Sequence, residues 1–264
     1  MTDIQPQAIY HQKQVILLCS DIHIQSHYPA RHLAWLKSLN MIYEQYNIAA
    51  CYILGDLFDY WIGSPCIQTY QESLAQLQNS KILSSPVYFM RGNRDFMITE
   101  ELSSFGIQTI PDPSIIYHGS SSILLSHGDL FCSQDRSYQS LRSIIQHPLT
   151  KKLVRYLPTQ VKYTIANHLR QKSKQYNHKK SRNLMQTHPP TIDQYAQQYS
   201  CKHVIHGHVH KAQQYSTQHC HVTVLDSWEH QENYALITQE GIKLITLYDH
   251  HTGTVLKESA STSV

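Results

Sequence analysis

Five short stretches of this chain place metal-binding residue types directly after an apolar run. They are Asp21-Ile22-His23, Gly55-Asp56-Leu57-Phe58-Asp59, Gly92-Asn93-Arg94-Asp95, His127-Gly128-Asp129 and His206-Gly207-His208-Val209-His210. In extended backbone residues i and i+2 point the same way, so Asp21 and His23 can grip one cation, and so can His206 and His208. Gly207 lets the backbone come close to such a site. Asp56 offers two carboxylate oxygens, enough to bridge two ions, and Asn93 offers an amide oxygen. Asp59 is better suited to orient a ligand than to be one. Imidazole, carboxylate and amide oxygen together suit Mn, Fe or Zn better than Ca or a thiolate-bound metal. Arg94 stands beside Asn93 with a five-donor fork suited to phosphate oxygens. Each pattern alone is common in turns; the five in order are not.

The elements that must position these residues are legible as buried-type strands at Gln14–Ser20, Cys51–Leu54, Pro86–Met90, Ser122–Ser126 and Lys202–Ile205. In an open α/β sheet, ligands collect outside the carboxyl ends of such strands. Pro29 opens a helix with apolar Leu33, Leu36, Leu39, Ile42 and Tyr43. Leu74, Leu77 and Ile82 mark another, and 97–105 reads as helical. Short strands are expected at Gln108–Ile110 and Ser114–Tyr117, and a helix at Thr191–Tyr199. Past His210 the segments Ala212–Ser216, His221–Leu225, Tyr234–Thr238 and Ile242–Tyr248 alternate like antiparallel strands. Residues 250–264 are small and polar and are expected to fray.

The 264 residues are 41% hydrophobic, enough for one large domain with an insertion. No signal-peptide core or membrane-length apolar run is present in the sequence. The six Cys include no CxxC pair, which argues for reduced thiols and a cytosolic setting. The net charge of +3 hides a polarised chain: twelve of the 22 Lys and Arg lie between Arg136 and Pro190, where there is no Asp or Glu. The remainder carries ten basic and nineteen acidic residues. Within the basic stretch Tyr138, Leu141, Ile144 and Ile145 have helical spacing, as do Leu149, Leu153, Tyr156 and Leu157, and then Val161, Ile165 and Leu169. Such a segment suits phosphate or an anionic leaflet. Its apolar side could take acyl chains or pack on the core. It carries no recognised nucleic-acid motif, so no nucleic-acid partner is expected.

The ordered set of five motifs resembles the calcineurin-like metallophosphoesterase superfamily. That resemblance implies a two-sheet α/β/β/α sandwich and a two-metal centre. One ion is then held by Asp21, His23, Asp56 and His208, the other by Asp56, Asn93, His127 and His206, with Asp56 shared. Two ions about 3.5–4 Å apart can generate hydroxide near neutral pH and clamp both oxygens of an in-line displacement. Most of the superfamily carries G-N-H-[DE]; here Arg94 replaces that histidine. Arginine donates no proton near neutral pH but stabilises charge on phosphate oxygens, which fits a phosphate leaving group.

GDLFDYWIG, RGNRDF, HGD-x-x-C-x-x-D-x-x-Y and HGH-x-H, spread from about Val15 to Tyr248, resemble the UDP-2,3-diacylglucosamine pyrophosphatase family of lipid A biosynthesis. The resemblance implies attack by metal-activated water at the uridine-side phosphorus, with UMP and the acylated sugar 1-phosphate as products. It implies a core at 1–134 and 188–250, a helical basic cap at 135–187 and a flexible tail at 251–264. It also implies two divalent ions, Mn²⁺ first among them, and catalytic roles for Asn93, Arg94 and His206. Substrate contacts would come from Asn93, Arg94, Asp135, Ser173, Asn177, Lys180 and His206. The expected partners are the lipid-linked nucleotide sugar and the anionic inner leaflet, with no obligate protein partner. The expected location is the cytoplasmic face of the inner membrane. The alternatives are another two-metal phosphodiesterase or nuclease on the same scaffold, or a non-catalytic nucleic-acid- or lipid-binding scaffold.

Overall fold

A computed structural model describes residues 8–11, 15–158, 160–162, 164, 186–249, 255–258 and 262. Strand β1 (Ala8–His11) precedes β2 (Val15–Cys19), helix α1 (Pro29–Gln45) and β3 (Ile48–Leu54). Helices α2 (Pro65–Thr69) and α3 (Gln71–Gln78) lead to β4 (Val87–Met90), β5 (Ile107–Ile110), β6 (Ser114–His118) and β7 (Ser121–Ser126). Then come α4 (Arg136–Gln146), α5 (Pro148–Arg155), α6 (Pro189–Gln198) and β8 (His203–His206). The chain continues through β9 (Gln213–Ser216), β10 (His221–Val224), β11 (Gln231–Thr238), β12 (Gly241–Asp249) and β13 (Val255–Glu258).

The strands form two mixed sheets. One has the order β13-β12-β11-β2-β3-β4-β5, the other β1-β6-β7-β8-β10-β9. Period-2 alternation along β2 and β3 decides the layering. Ile16, Leu18, Ala50, Tyr52 and Leu54 meet Ile116, Ile123, Leu125 and Ile205 of the other sheet. The intervening Leu17, Cys19, Cys51 and Ile53 face outward onto Trp35, Leu39 and Ile42 of α1 and Leu74 and Leu77 of α3. On the far side Leu124, Val204 and Val222 pack against Ile192 and Ala196 of α6. The result is the expected α/β/β/α sandwich. All six cysteines are free and buried.

Two local expectations differ from the structure. Residues 97–105 form turns and a short 3₁₀ helix at Ser103–Phe105, because the Glu101 carboxylate takes the Thr99 N–H and hydroxyl at 2.6 and 2.8 Å. The four strands after His210 pair antiparallel as expected, β9 with β10 and β11 with β12, but in different sheets. β10 joins β8 in parallel, while β11 joins β2 in the opposite sheet. The tail also contributes structure: β13 pairs with β12, and Thr262 bridges Ile242. Among the described residues no helix is long and apolar enough to cross a membrane.

Candidate metal centre

Strands β2, β3, β4, β7 and β8 all end at one edge of the sandwich, and their following loops are sewn together by backbone hydrogen bonds. Asp21 N–H donates to Gly55 C=O at 3.1 Å, His23 N–H to Asp56 C=O at 3.0 Å, and Gly207 N–H to His127 C=O at 2.9 Å. Asp21, His23, Asp56 and His127 are essentially inaccessible to solvent.

Two groups of side chains converge there. Ligand atoms of Asp21, His23 and His210 lie within 4.8 Å of one another, as do those of Asp21, Asp56 and His127. Asn93 Oδ1 is 3.0 Å from His127 Nε2, so it joins the second group. The His127 Nδ1–H donates to Leu54 C=O at 2.9 Å, which fixes the ring and aims Nε2 inward. The His208 ring packs edge-on to His127 with centroids 5.0 Å apart, and its backbone N–H donates to Asp21 Oδ2 at 2.9 Å.

The backbone is strained where these residues sit. Six non-glycine residues have positive φ among those described, and five are Asp21, His23, Asp56, His208 and His210, at 50 to 71°. Such conformations persist only where surrounding contacts over-determine them, and they cluster at ligand clamps. Two glycines make room. A Cβ on Gly92 would run into the Asp56 carboxylate, and one on Gly207 into Ser20 Oγ and the Asp21 carboxylate.

The alternation expected of His206 and His208 stops at the strand end. His206 and His208 were expected to share one face. β8 ends at His206, and the positive φ of His208 and His210 breaks the extended geometry on which that expectation rests. His210, not singled out from sequence, brings its Nε2 to 3.2 Å from Asp21 Oδ1 and 3.5 Å from His23 Nε2. His206 donates its Nδ1–H to Gly207 C=O and meets Phe131 edge-on. Neither His206 nor His208 belongs to these two ligand groups among the described residues, and the buried His206 Nε2 has no hydrogen-bond partner there.

Asp95 organises the whole edge. Its carboxylate accepts from Gly92 N–H at 2.8 Å and Leu57 N–H at 2.7 Å, and from Asp56 and Phe58 N–H at 3.3 Å. Burial and the nearby Asp56 charge push it up to about 7 against the pull of those donors. Arg94 donates its backbone N–H to Asp56 Oδ1 at 2.8 Å, and its guanidinium contacts Asp59 Oδ1 at 2.6 Å and Asp56 Oδ2 at 3.5 Å. Its side chain stays one-third exposed, so it borders both the centre and solvent. Asp135 caps α4 by accepting from Tyr138 N–H. Ser173, Asn177 and Lys180 lie outside the described residues.

The charge balance fits divalent cations. Burial opposes the negative charge on Asp56 and raises its pKa. Burial opposes charge on Asp21 too, but the His210 hydrogen bond and the charges of His210 and His127 overcome it and hold its carboxyl down. His127 is buried, which disfavours its proton, yet Asp56 and Asp21 lift it to about 9. Burial and the His127 charge drive His208 down to about 3. Two buried carboxylates call for compensating positive charge, and a divalent cation bound there would require His127 and His210 in their neutral forms.

A calcineurin-like phosphoesterase family model matches residues 15–212, which span all five strand ends. This chain belongs to the calcineurin-like phosphoesterase family. Members are metal-dependent phosphoesterases, and the two ligand groups above are this member's candidates for holding divalent ions. A UDP-2,3-diacylglucosamine hydrolase of Pseudomonas syringae pv. tomato is 30% identical over 87% of this chain and 94% of its own length. The protein of the same name from Pseudomonas entomophila is 33% identical over 75% of this chain and 82% of its own. Among solved structures, GAP50, the anchor in the inner membrane complex of Plasmodium, superimposes with a TM-score of 0.52 at 9% identity. It covers 96% of this chain and 90% of its own and bears on the fold alone.

Proposed function

We propose that this phosphoesterase hydrolyses the pyrophosphate bond of UDP-2,3-diacylglucosamine, releasing UMP and 2,3-diacylglucosamine 1-phosphate. The observation that carries the reading is Arg94 beside Asp56 in a chain whose relatives bear that substrate in their names over nearly their whole length. Asp21, His23, Asp56 and His208 would hold one ion, and Asp56, Asn93, His127 and His206 the other, with His210 a further candidate beside Asp21 and His23 and Mn²⁺ the first metal to try. Bound ions of this kind supply an activated water and neutralise charge on phosphorus-bound oxygens.

The protein's own part is positioning. Asp95 holds the Asp56 and Asn93 loops, and Asp59 steers the Arg94 guanidinium toward the phosphates. Arg94 stabilises charge on the leaving phosphate, which needs no proton from the enzyme. His206 would lie beside the phosphate as well, and its buried Nε2, which has no hydrogen-bond partner among the described residues, supports a ligand role.

The basic helices would serve as a cap over the lipid part of the substrate. Leu141, Ile144, Leu149, Leu153 and Tyr156 are exposed on α4, α5 and the residue after it, by 41 to 77%. With the acid-free charge around them they suit acyl chains and an anionic leaflet. Asp135, Ser173, Asn177 and Lys180 are proposed substrate contacts within this cap, and the cytoplasmic face of the inner membrane is the proposed site of action. The test is turnover of the acylated substrate with Mn²⁺ in ¹⁸O-water. Label in UMP supports the proposal. Label confined to the sugar phosphate, or faster cleavage of unlipidated phosphodiesters, overturns it.

A further inference from the structure

Away from the ligands themselves, one buried ionic cluster joins α4 to the loop that carries His127. Arg142 sends its Nε–H to Asp129 Oδ2 at 2.8 Å and its Nη2–H to Asp112 Oδ2 at 2.9 Å. The arginine side chain is 11% exposed, and Asp112 and Asp129 are 5% and 1% exposed. The two carboxylates flank His127. Asp112 Oδ1 accepts from Ser126 Oγ–H at 2.7 Å and from the His127 backbone N–H at 3.3 Å. Asp129 follows two residues later, and α4 supplies further contacts to it. Tyr138 O–H donates to Asp129 Oδ2 at 2.6 Å, and Gln139 Nε2–H donates to Asp129 C=O at 2.8 Å. The Tyr138 ring lies along that of His208, with centroids 6.3 Å apart and planes tilted by 25°.

One planar guanidinium thus neutralises two buried carboxylates, each bound to a different side of the His127 loop. A buried charge without its partner is strongly destabilising, so the carboxylates hold their present places only while Arg142 is in position. A lysine could carry the charge but not the two-directional fork. With α4 lifted away, Asp112 and Asp129 would repel each other beside His127. The loop would then have to rearrange to rehydrate them.

We propose that Arg142 is a positioning residue that makes the seating of α4 and the placement of His127 a single event. The helix that borders the substrate side and one half of the metal centre then assemble together. The inference rests on the two-group ligand assignment above, but not on the identity of the substrate.

The experiment is calorimetric titration of Mn²⁺ into metal-stripped wild type, Arg142→Lys, the charge-free triple variant Asp112→Asn/Arg142→Gln/Asp129→Asn, and the exposed control Arg136→Gln. Arg142→Lys is expected to bind one ion as wild type does and the other at least tenfold more weakly, with Arg136→Gln unchanged. The triple variant leaves no unpaired charge and is expected to fold. It too should lose affinity at one site only. Wild-type affinity at both sites in either variant, with only the melting temperature lowered, would make Arg142 a simple helix clamp and overturn the proposal. A wild-type protein that binds two ions but cleaves some other substrate would overturn the function proposed above and leave this inference standing.

Discussion

His210 Nε2 lies 3.2 Å from Asp21 Oδ1, a contact between residues 189 positions apart in the chain. It closes the metal centre by joining the loop after β8 to the loop after β2. His210→Ala should therefore lower metal content by about one equivalent. The loss in kcat should exceed the 10–100-fold typical of an outer hydrogen-bond partner. His206→Gln should lose about one equivalent too, from the ion it would share with His127. Metal analysis of the two purified variants checks both, and full metal content in either would remove that histidine as a ligand.

Asp95 reaches no proposed metal ligand atom, yet four backbone N–H groups around Asp56 and Asn93 depend on its carboxylate. Asn at this position keeps one acceptor oxygen and places an N–H₂ group against N–H donors. Asp95→Asn should cost about 2–4 kcal/mol of stability from unsatisfied buried donors. It should also weaken turnover about 10–100-fold by loosening ligand placement. Urea midpoints and kcat measured on the same preparation check both.

Arg94 contacts Asp56 and Asp59 but holds no metal in this account. Arg94→Ala should bind two ions with unchanged stoichiometry and lose about 10²–10³-fold in kcat, the scale of a removed charge-stabilising donor. Arg94→Lys should recover only part of that, because the fork is lost. Steady-state kinetics alongside metal analysis would show it, and near-normal turnover in Arg94→Ala would remove its role.

His32 on α1 is buried beside Trp35. Burial drives its imidazole down to about 4, against a weaker upward pull from the Ser73 backbone. The unfolded chain protonates near the ordinary value of 6.5, before the folded protein does. Stability is therefore intact above about pH 6.5 and falls as pH drops toward 4. The contribution is on the order of 2 kcal/mol across that window. His32→Leu should lose less stability than wild type between pH 7.5 and 5 in chelator, as read by denaturant midpoints. Parallel losses would assign the acid sensitivity elsewhere.

Much of the site was legible because apolar runs of four to seven residues stop at ligand-type side chains, as at Leu54-Gly55-Asp56 and Ser126-His127. The sandwich followed from the same runs, since β2 and β3 are apolar on both faces and must be covered twice. The directions of His206, His208 and His210 were not legible. Three histidines at spacing two satisfy any extended pattern, and the positive φ values that break it at the last two are a tertiary property. The Arg142 cluster was equally hidden, because Asp112 and Arg142 are thirty positions apart and meet only once α4 packs beside the His127 loop. Glu101 capturing Thr99 shows the opposite failure, a local side-chain bond defeating a helical pattern.

The central claim is that the Asp56 carboxylate is shared between two ions. Anomalous diffraction at the manganese edge on Mn²⁺-soaked crystals tests it most directly. Two peaks about 3.5–4 Å apart astride Asp56 are expected, one against Asp21, His23 and His208 and the other against Asn93, His127 and His206. A single peak, or a second one away from Asp56, would contradict the account.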